Sequence, residues 1–387
     1  MTSAAWTTLA DADAGVPDEL VALAERCLRA DGGLPLAAEP WFLRRRWAAP
    51  GRRTFALRAD GGGAGPAGGA LLAAGVACPA GGGVTVTGLV APEARGRGLG
   101  ARLLDHGLAL AAELRLAPDR PAGTSGGPTA AAPAITVETE SLTEAAEALF
   151  ASRGLQQFFA EDVMRIELNR PAASDPGPAA AGLSGSAASD PGPAAAGLSG
   201  SAASDPGPAV AGPNRPTASD PALSRPATAG IGLTLTEWST ATAARFHATY
   251  AASFRDRPGF PGDPADVWIA ENEEDDDFRP AWSLLATVPA LAEGGSAAED
   301  APAGDAGFVT AAVGWIVQVG VIPAARGRGI GAALVRESLA RMAAAGRPEA
   351  WLTVNTNNPG AAALYRKLGF HHRGRRARYR TKTELAS

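Results

Sequence analysis

A chain of 387 residues is too long for one ordinary domain and fits two of moderate size with sequence left over to connect them. Its formal net charge of −5 excludes the broad basic surface that nucleic-acid binding requires. Two cysteines, Cys27 and Cys78, are too few for a disulfide framework or a cysteine-rich metal site, so no metal is expected. The first residues have no basic segment followed by an apolar one, and no run reaches the roughly eighteen apolar residues of a spanning helix. A cytoplasmic protein with no membrane partner is expected.

In chain order, the first half opens on a helical pattern and is interrupted twice by Gly, Ala and Pro, at Asp60 to Gly69 and at Ala117 to Pro133, which read as loop expansions. Between them the β-branched run Val84 to Val90 predicts a strand, followed by the turn RGRGLG, Arg95 to Gly100, and a long amphipathic helix. A short strand, Ile135 to Val137, follows. The pattern Ser141-Leu142-Thr143-Glu144 reads as a capping box opening a helix that stops at Gly154.

From Pro171 to about Thr228 the unit SDPGPAAAGLSGSAA begins at Ser174, repeats from Ser189 and trails off after Ser204. Pro and Gly break helix and strand, and few side chains there exceed Ala in apolar bulk, so a disordered linker is expected. The expected division is therefore residues 1–170, a linker at 171–228, and a second domain at 229–387.

The second half repeats the order of the first. The acidic run Glu271 to Phe278 reads as a loop feeding a strand, Gly294 to Gly307 as another expansion, and Gly314 to Ile322 as a strand entering RGRGIG, Arg326 to Gly331. The next helix places Ile330, Leu334, Ser338, Leu339 and Met342 on one face and ends at Gly346. Trp351 to Val354 predicts a buried strand. Asn358 is an N-cap, Pro359 takes the first helical position, and Gly369 stops the last helix. The arginine-rich end, HHRGRRARYR, reads as an exposed edge strand whose charges oppose aggregation.

In both turns the glycines leave backbone N–H groups uncovered at a helix N-terminus, an arrangement that suits a pyrophosphate. Arg326 and Arg328, like Arg95 and Arg97, stand where they add positive charge. The turns also satisfy G-x-G-x-x-A, a dinucleotide fingerprint, but that motif needs an acid at the end of the next strand. The second half offers Asn355 there; in the first half Glu138 and Glu140 follow the strand only after a long insertion.

These residues resemble the GNAT family of acetyltransferases, whose signature is Arg or Gln, two residues, Gly, one residue, then Gly or Ala. Arg95, Gly98 and Gly100 match it, as do Arg326, Gly329 and Gly331, and the second half adds Asn358, Ala361, Leu364 and Tyr365 before Leu-Gly-Phe370. The resemblance implies an α+β chain of two tandem domains, each a mixed twisted sheet flanked by helices and splayed around acetyl-CoA. It assigns cofactor binding to Val319, Val321, Arg326, Gly327, Arg328, Gly329, Ile330, Gly331 and Asn358. In the first half it assigns it to Val90, Arg95, Gly96, Arg97, Gly98 and Gly100.

The implied activity is acetyl transfer to a primary amine of a small molecule, with Tyr365 protonating the departing thiolate. A thiol pKa of about 8.5 makes that proton useful, and a phenol of pKa about 10 carries one at neutral pH. At the equivalent position the first half has Phe150, with Thr143 in place of Asn358. It is left to bind acyl-CoA without transfer, to serve as a structural half, or to use another acid. The pairing of one degenerate and one catalytic half is similar to the layout of mycothiol synthase, which brings in the amine of a thiol metabolite as an acceptor. A non-catalytic acyl-CoA sensor or scaffold is the rival reading, and a monomer is expected because tandem halves can satisfy an interface internally.

Overall fold

The computed structural model describes residues 6–9, 16–59, 69–80, 83–116, 134–168, 232–257, 260, 262–288 and 304–381. The sequence-expected linker at 171–228 lies outside the described residues, as does most of each loop expansion. In chain order the elements are α1 (Asp18–Asp31), α2 (Pro40–Trp47), β1 (Arg53–Arg58), β2 (Leu71–Ala80), β3 (Gly83–Val90), α3 (Leu99–Leu116), β4 (Ile135–Thr139), α4 (Glu144–Ser152) and β5 (Leu155–Glu167). Then follow β6 (Thr234–Glu237), α5 (Ala243–Phe254), α6 (Ala265–Glu273), β7 (Leu284–Thr287), β8 (Asp305–Ala312), β9 (Trp315–Val321), α7 (Ile330–Ala344), β10 (Glu349–Asn355), α8 (Pro359–Lys367) and β11 (His371–Thr381).

The chain divides into two units, one of Met1–Val163 with Arg373–Ser387 and one of Met164–His372. This departs from the 1–170 and 229–387 expected from the sequence, because the last strand returns to the first unit. There β11 pairs antiparallel with β4, Ala377 opposite Thr139 and Tyr379 opposite Val137, giving the order β1-β2-β3-β4-β11-β5. The expected exposed edge strand is thus an interior one, in which Arg376, Ala377 and Tyr379 are buried. Carboxylates on its neighbours make this possible: Arg375 meets Asp162 at 2.7 Å and Arg376 meets Glu161 at 2.5 Å.

In the first unit, β1, β2 and β3 form an antiparallel meander, and β4 joins β3 in parallel. Leu99, Leu103, Leu104, Gly107 and Ala111 give α3 a buried face against β2 and β3. Thr143, not Ser141, caps α4, its hydroxyl accepting from the Ala146 N–H at 3.2 Å, while Ser141 Oγ donates to the Gly32 carbonyl at 2.6 Å. The capping-box reading was two residues early for that reason.

The second unit has the order β5-β10-β9-β8-β7-β6, with β6 to β9 antiparallel and β10 parallel to β9. Both faces of β7 are covered: Leu284 and Ala286 join the core beneath α7 and α8, while Leu285 and Phe308 join an aromatic cluster with Trp238, which follows β6, and with Phe246, Tyr250 and Trp268 from α5 and α6. The acidic run ends α6 and turns into Phe278, so Glu271 to Glu273 are helical where a loop was expected; Trp238 Nε1 donates to Glu273 there at 2.9 Å.

Candidate functional site

In both units the parallel strand pair opens apart. β9 and β10 register only at Trp315 and Trp351, so the β10-facing edge of Val317 to Val321 has no ladder partner among the described residues. At the end of β9 the chain turns through Pro323–Ala325 into the Gly-rich segment. Gly327 and Gly329 hold φ of 74° and 80°, the left-handed region that side chains disfavour, and a Cβ on Gly327 would meet nothing within 4 Å. Gly329 is the N-cap of α7 and supplies no side chain to its first amides, which stay available to an anion. Arg328 is exposed, without an ion pair or hydrogen bond among the described residues.

Arg326 has a second task. Its Nε donates to the Val321 carbonyl at 3.1 Å and its Nη2 to the Ser253 carbonyl at 2.9 Å, fastening the turn to β9 and α5. These partners are neutral backbone carbonyls, and no carboxylate pairs with it among the described residues.

The last helix is built as the sequence suggests: Asn358 Oδ1 accepts from the Ala361 N–H at 3.2 Å, and Pro359 follows. A Cβ on Gly331 would lie 3.5 Å from Val321 Cγ2 and 3.8 Å from Leu364 Cδ2, so the start of α7, the end of β9 and α8 converge at that glycine. Tyr365, the next residue on α8, is buried with its ring 5.9 Å from that of Phe370. Burial pushes its phenol up to about 12, and its hydroxyl has no hydrogen-bond partner among the described residues. It therefore stays protonated throughout the neutral range. Val319 and Val321 lie on β9, the buried Ile330 opens α7, and Asn358 caps α8.

The first unit repeats the backbone of this construction. Gly96 and Gly98 have φ of 73° and 76°, both with open space where a Cβ would stand, and a Cβ on Gly100 would meet Leu149 Cδ2 at 3.5 Å, as Gly331 meets Leu364. That equivalence puts Phe150 where the second unit has Tyr365. Arg95 Nε donates to the Val90 carbonyl at 3.1 Å, matching Arg326. Its other two nitrogens, however, meet both oxygens of Asp31, at 2.5 and 2.7 Å. The expectation that Arg95 offers free positive charge is corrected accordingly: a carboxylate on α1 stands where the second unit has a backbone carbonyl. Glu93, in the same turn, adds a negative charge near Arg26 at 3.6 Å, and Arg97 is exposed.

Sequence reasoning missed a cavity of about 190 Å³ in the first unit, where β3 and β4 part beyond Val86 and Val137. Leu28, Leu43, Trp47, Leu104, Leu149 and Phe150 give it apolar walls, and Cys27, Arg46, Glu138 and Glu140 also line it. Arg46 Nη2 lies 2.7 Å from both Glu138 and Glu140, and Arg378 Nε lies 3.2 Å from Glu138. Burial pushes the Glu140 carboxyl up, but Arg46 and Arg376 outweigh it and hold it below the usual carboxylate range. The acids that a dinucleotide site would need are engaged by these arginines. Among the described residues no group of His, Cys, Asp and Glu could hold a metal ion, and no helix is long and apolar enough to cross a membrane.

Comparison with known proteins places these features in context. Residues 245–370 match the acetyltransferase (GNAT) family model. A mycothiol acetyltransferase of Nocardioides sp. (strain ATCC BAA-499 / JS614) is 38% identical over 112 residues, which are 27% of this chain and 38% of that protein. The chain thus spans well under half of that relative's length. Among solved structures, a GCN5-related N-acetyltransferase from Sphaerobacter thermophilus superimposes with a TM-score of 0.57 at 20% identity, over 97% of this chain and 94% of its own. A tandem GNAT protein from the clavulanic acid biosynthesis pathway does so with a TM-score of 0.51 at 15% identity, over 97% of each chain. These likenesses establish the fold in both units.

Proposed function

We propose, from the match of residues 245–370 to the GNAT acetyltransferase family model, that the second unit transfers an acetyl group from acetyl-CoA to a primary amine of a small molecule. The observation that carries this reading is the convergence at Gly331 of a strand edge without a ladder partner, an uncapped helix N-terminus and the helix that bears a protonated Tyr365.

The residues present fit an acyl-CoA. Amides of Gly327 to Gly331 hold its pyrophosphate with Arg328 beside them, Arg326 keeps the turn in shape, and Val319 and Val321 offer backbone groups to its amide-bearing arm. Acetyl-CoA, when bound, supplies an activated thioester. The chain's part is to align the amine so that its nitrogen bonds the acetyl carbon as the carbon–sulfur bond breaks, and to deliver the Tyr365 proton to the departing sulfur, the tyrosinate recovering the proton that the nitrogen loses. Asn358 serves first as the cap that fixes α8, and so the direction of Tyr365.

The test is release of CoA thiol from acetyl-CoA in the presence of an amine panel, comparing the wild type with Tyr365→Phe. An acid of this kind is worth about 100-fold or more in turnover. Equal turnover by the variant from pH 6 to 9 would remove Tyr365 from the mechanism. The mycothiol acetyltransferase relative makes the amine of a thiol metabolite the first acceptor to include. A monomer accompanies this proposal, and a dimer at low micromolar concentration in sedimentation would contradict it.

A further inference from the structure

The end of α5 carries a second construction, which the transfer chemistry does not use. Arg326 Nη2 donates to the Ser253 carbonyl at 2.9 Å, and a Cβ on Gly320 would lie 2.8 Å from Ser253 Cβ, so α5 ends against the part of β9 that edges the opening. Tyr250 stands three residues earlier, about 4.5 Å along the helix axis. Its ring stacks on that of Trp268 at 4.8 Å, with Phe260 at 5.3 Å and Phe254 at 5.5 Å. The residue is 7% exposed, yet its hydroxyl keeps contact with solvent and has no hydrogen-bond partner among the described residues. Water reaches this oxygen, and so can a ligand.

Two carboxylates stand beside it. The Asp263 carbonyl is 2.9 Å from His247 Nε2, and the His247 ring is 6.1 Å from that of Tyr250. Glu271 lies one turn of α6 beyond Trp268, on the same side of the helix. Neither carboxylate has an ion pair or hydrogen bond among the described residues. Burial pushes the Tyr250 phenol above its ordinary value, and Asp263 and Glu271 push it further, so both charges act on the hydroxyl.

The cations nearby are Arg255 and Arg257, both exposed at the end of α5; Arg257 opposes the two acids and lies over the Phe254 ring at 5.0 Å. Against them, residues 262–277 hold eight acidic side chains and no Lys or Arg, so the field at the hydroxyl is negative. An uncharged oxygen, two unpaired carboxylates and aromatic rings together suit a cation, and the seat of Arg257 on Phe254 shows a guanidinium already on one of those rings.

We propose that this mouth holds the non-reacting cationic group, an ammonium or guanidinium, of an acceptor that carries two cationic groups. That the molecule is the acceptor rests on the acyltransferase reading; that the site takes a cation does not.

The test uses the full chain with butane-1,4-diamine, 4-aminobutan-1-ol and 4-aminobutanoate, which share one amine and carry a cation, a neutral hydroxyl and an anion at the far end. In calorimetric titration the diamine should bind at least about tenfold more tightly than the amino alcohol, with aminobutanoate weakest. Asp263→Asn with Glu271→Gln should cut that preference to about twofold or less, and Tyr250→Phe, which keeps the ring, should weaken diamine binding about tenfold. A control pair, Glu274→Gln with Asp276→Asn, removes two exposed charges of the same acidic run and should retain the preference. Release of CoA thiol with the same amines reads the transfer separately: selective binding without release would remove the acyltransferase reading and leave the cation site standing. Equal affinities for the diamine and the amino alcohol, tightest binding of aminobutanoate, or a preference that survives loss of Asp263 and Glu271 or falls equally in the control pair would each overturn the proposal.

Discussion

The two Gly-rich turns share a backbone and differ in what surrounds it. Both have glycines at positive φ, both brace the leading arginine on the carbonyl that ends the strand, and both touch the following helix through one leucine. Yet Arg95 faces Asp31 where Arg326 faces the Ser253 carbonyl, and Phe150 stands where Tyr365 does. In the second unit the leading arginine meets only backbone carbonyls and a tyrosine stands on the next helix; in the first a carboxylate pairs with that arginine, Arg97 stays exposed and a phenylalanine replaces the tyrosine. The signature residues specify a turn, while neighbours outside the signature set the charge around its leading arginine.

The contrast is broken most sharply at the aromatic pair. Tyr365→Phe should lower turnover by about 100-fold or more, whereas Phe150→Tyr should leave it within about twofold, both read from CoA thiol release. At the arginines, Asp31→Asn should free Arg95 and create a second acetyl-CoA site, about tenfold weaker than the first, in a calorimetric titration. Failure of a second site to appear would mean that Asp31 is not what separates the turns.

Two pH effects are smaller. The Glu140 carboxyl is held down in the folded chain, so its contribution to stability is complete above the ordinary carboxylate pKa of about 4.3 and is lost as pH falls through the lower folded value. Denaturant unfolding of Glu140→Gln should therefore show a shallower loss of stability below pH 4 than wild type. At the other end, Tyr365 and Tyr379 are both raised to about 12, which makes their contribution complete below the free-phenol value of about 10 and lost as pH rises from there toward 12. Tyr365→Phe should flatten part of that alkaline decline.

Much of this was legible in the sequence. Period and caps fixed α7 and α8, and the repeated turn revealed the two halves, because those signals are local in the chain. The place of β11 was not legible: Ala377 and Tyr379 at a spacing of two hinted at a buried face, but their arginine neighbours argued for an edge, and only the distant Glu138, Glu140, Glu161 and Asp162 reverse that argument. The Asp31 contact to Arg95 likewise joins residues 64 positions apart, with nothing in either segment to announce it. Long-range charge pairing decided what local pattern left open.

Because Arg373–Ser387 belongs with the first unit, the two halves cannot be separated by a cut between them, and the decisive measurement uses the full chain. It is calorimetric titration of acetyl-CoA into the wild type and into Gly327→Asp and Gly96→Asp, matched variants that place a carboxylate in the open space over each turn. The account predicts one site per chain, lost in Gly327→Asp and retained in Gly96→Asp. No binding by the wild type, or a site that survives Gly327→Asp and disappears in Gly96→Asp, would contradict it.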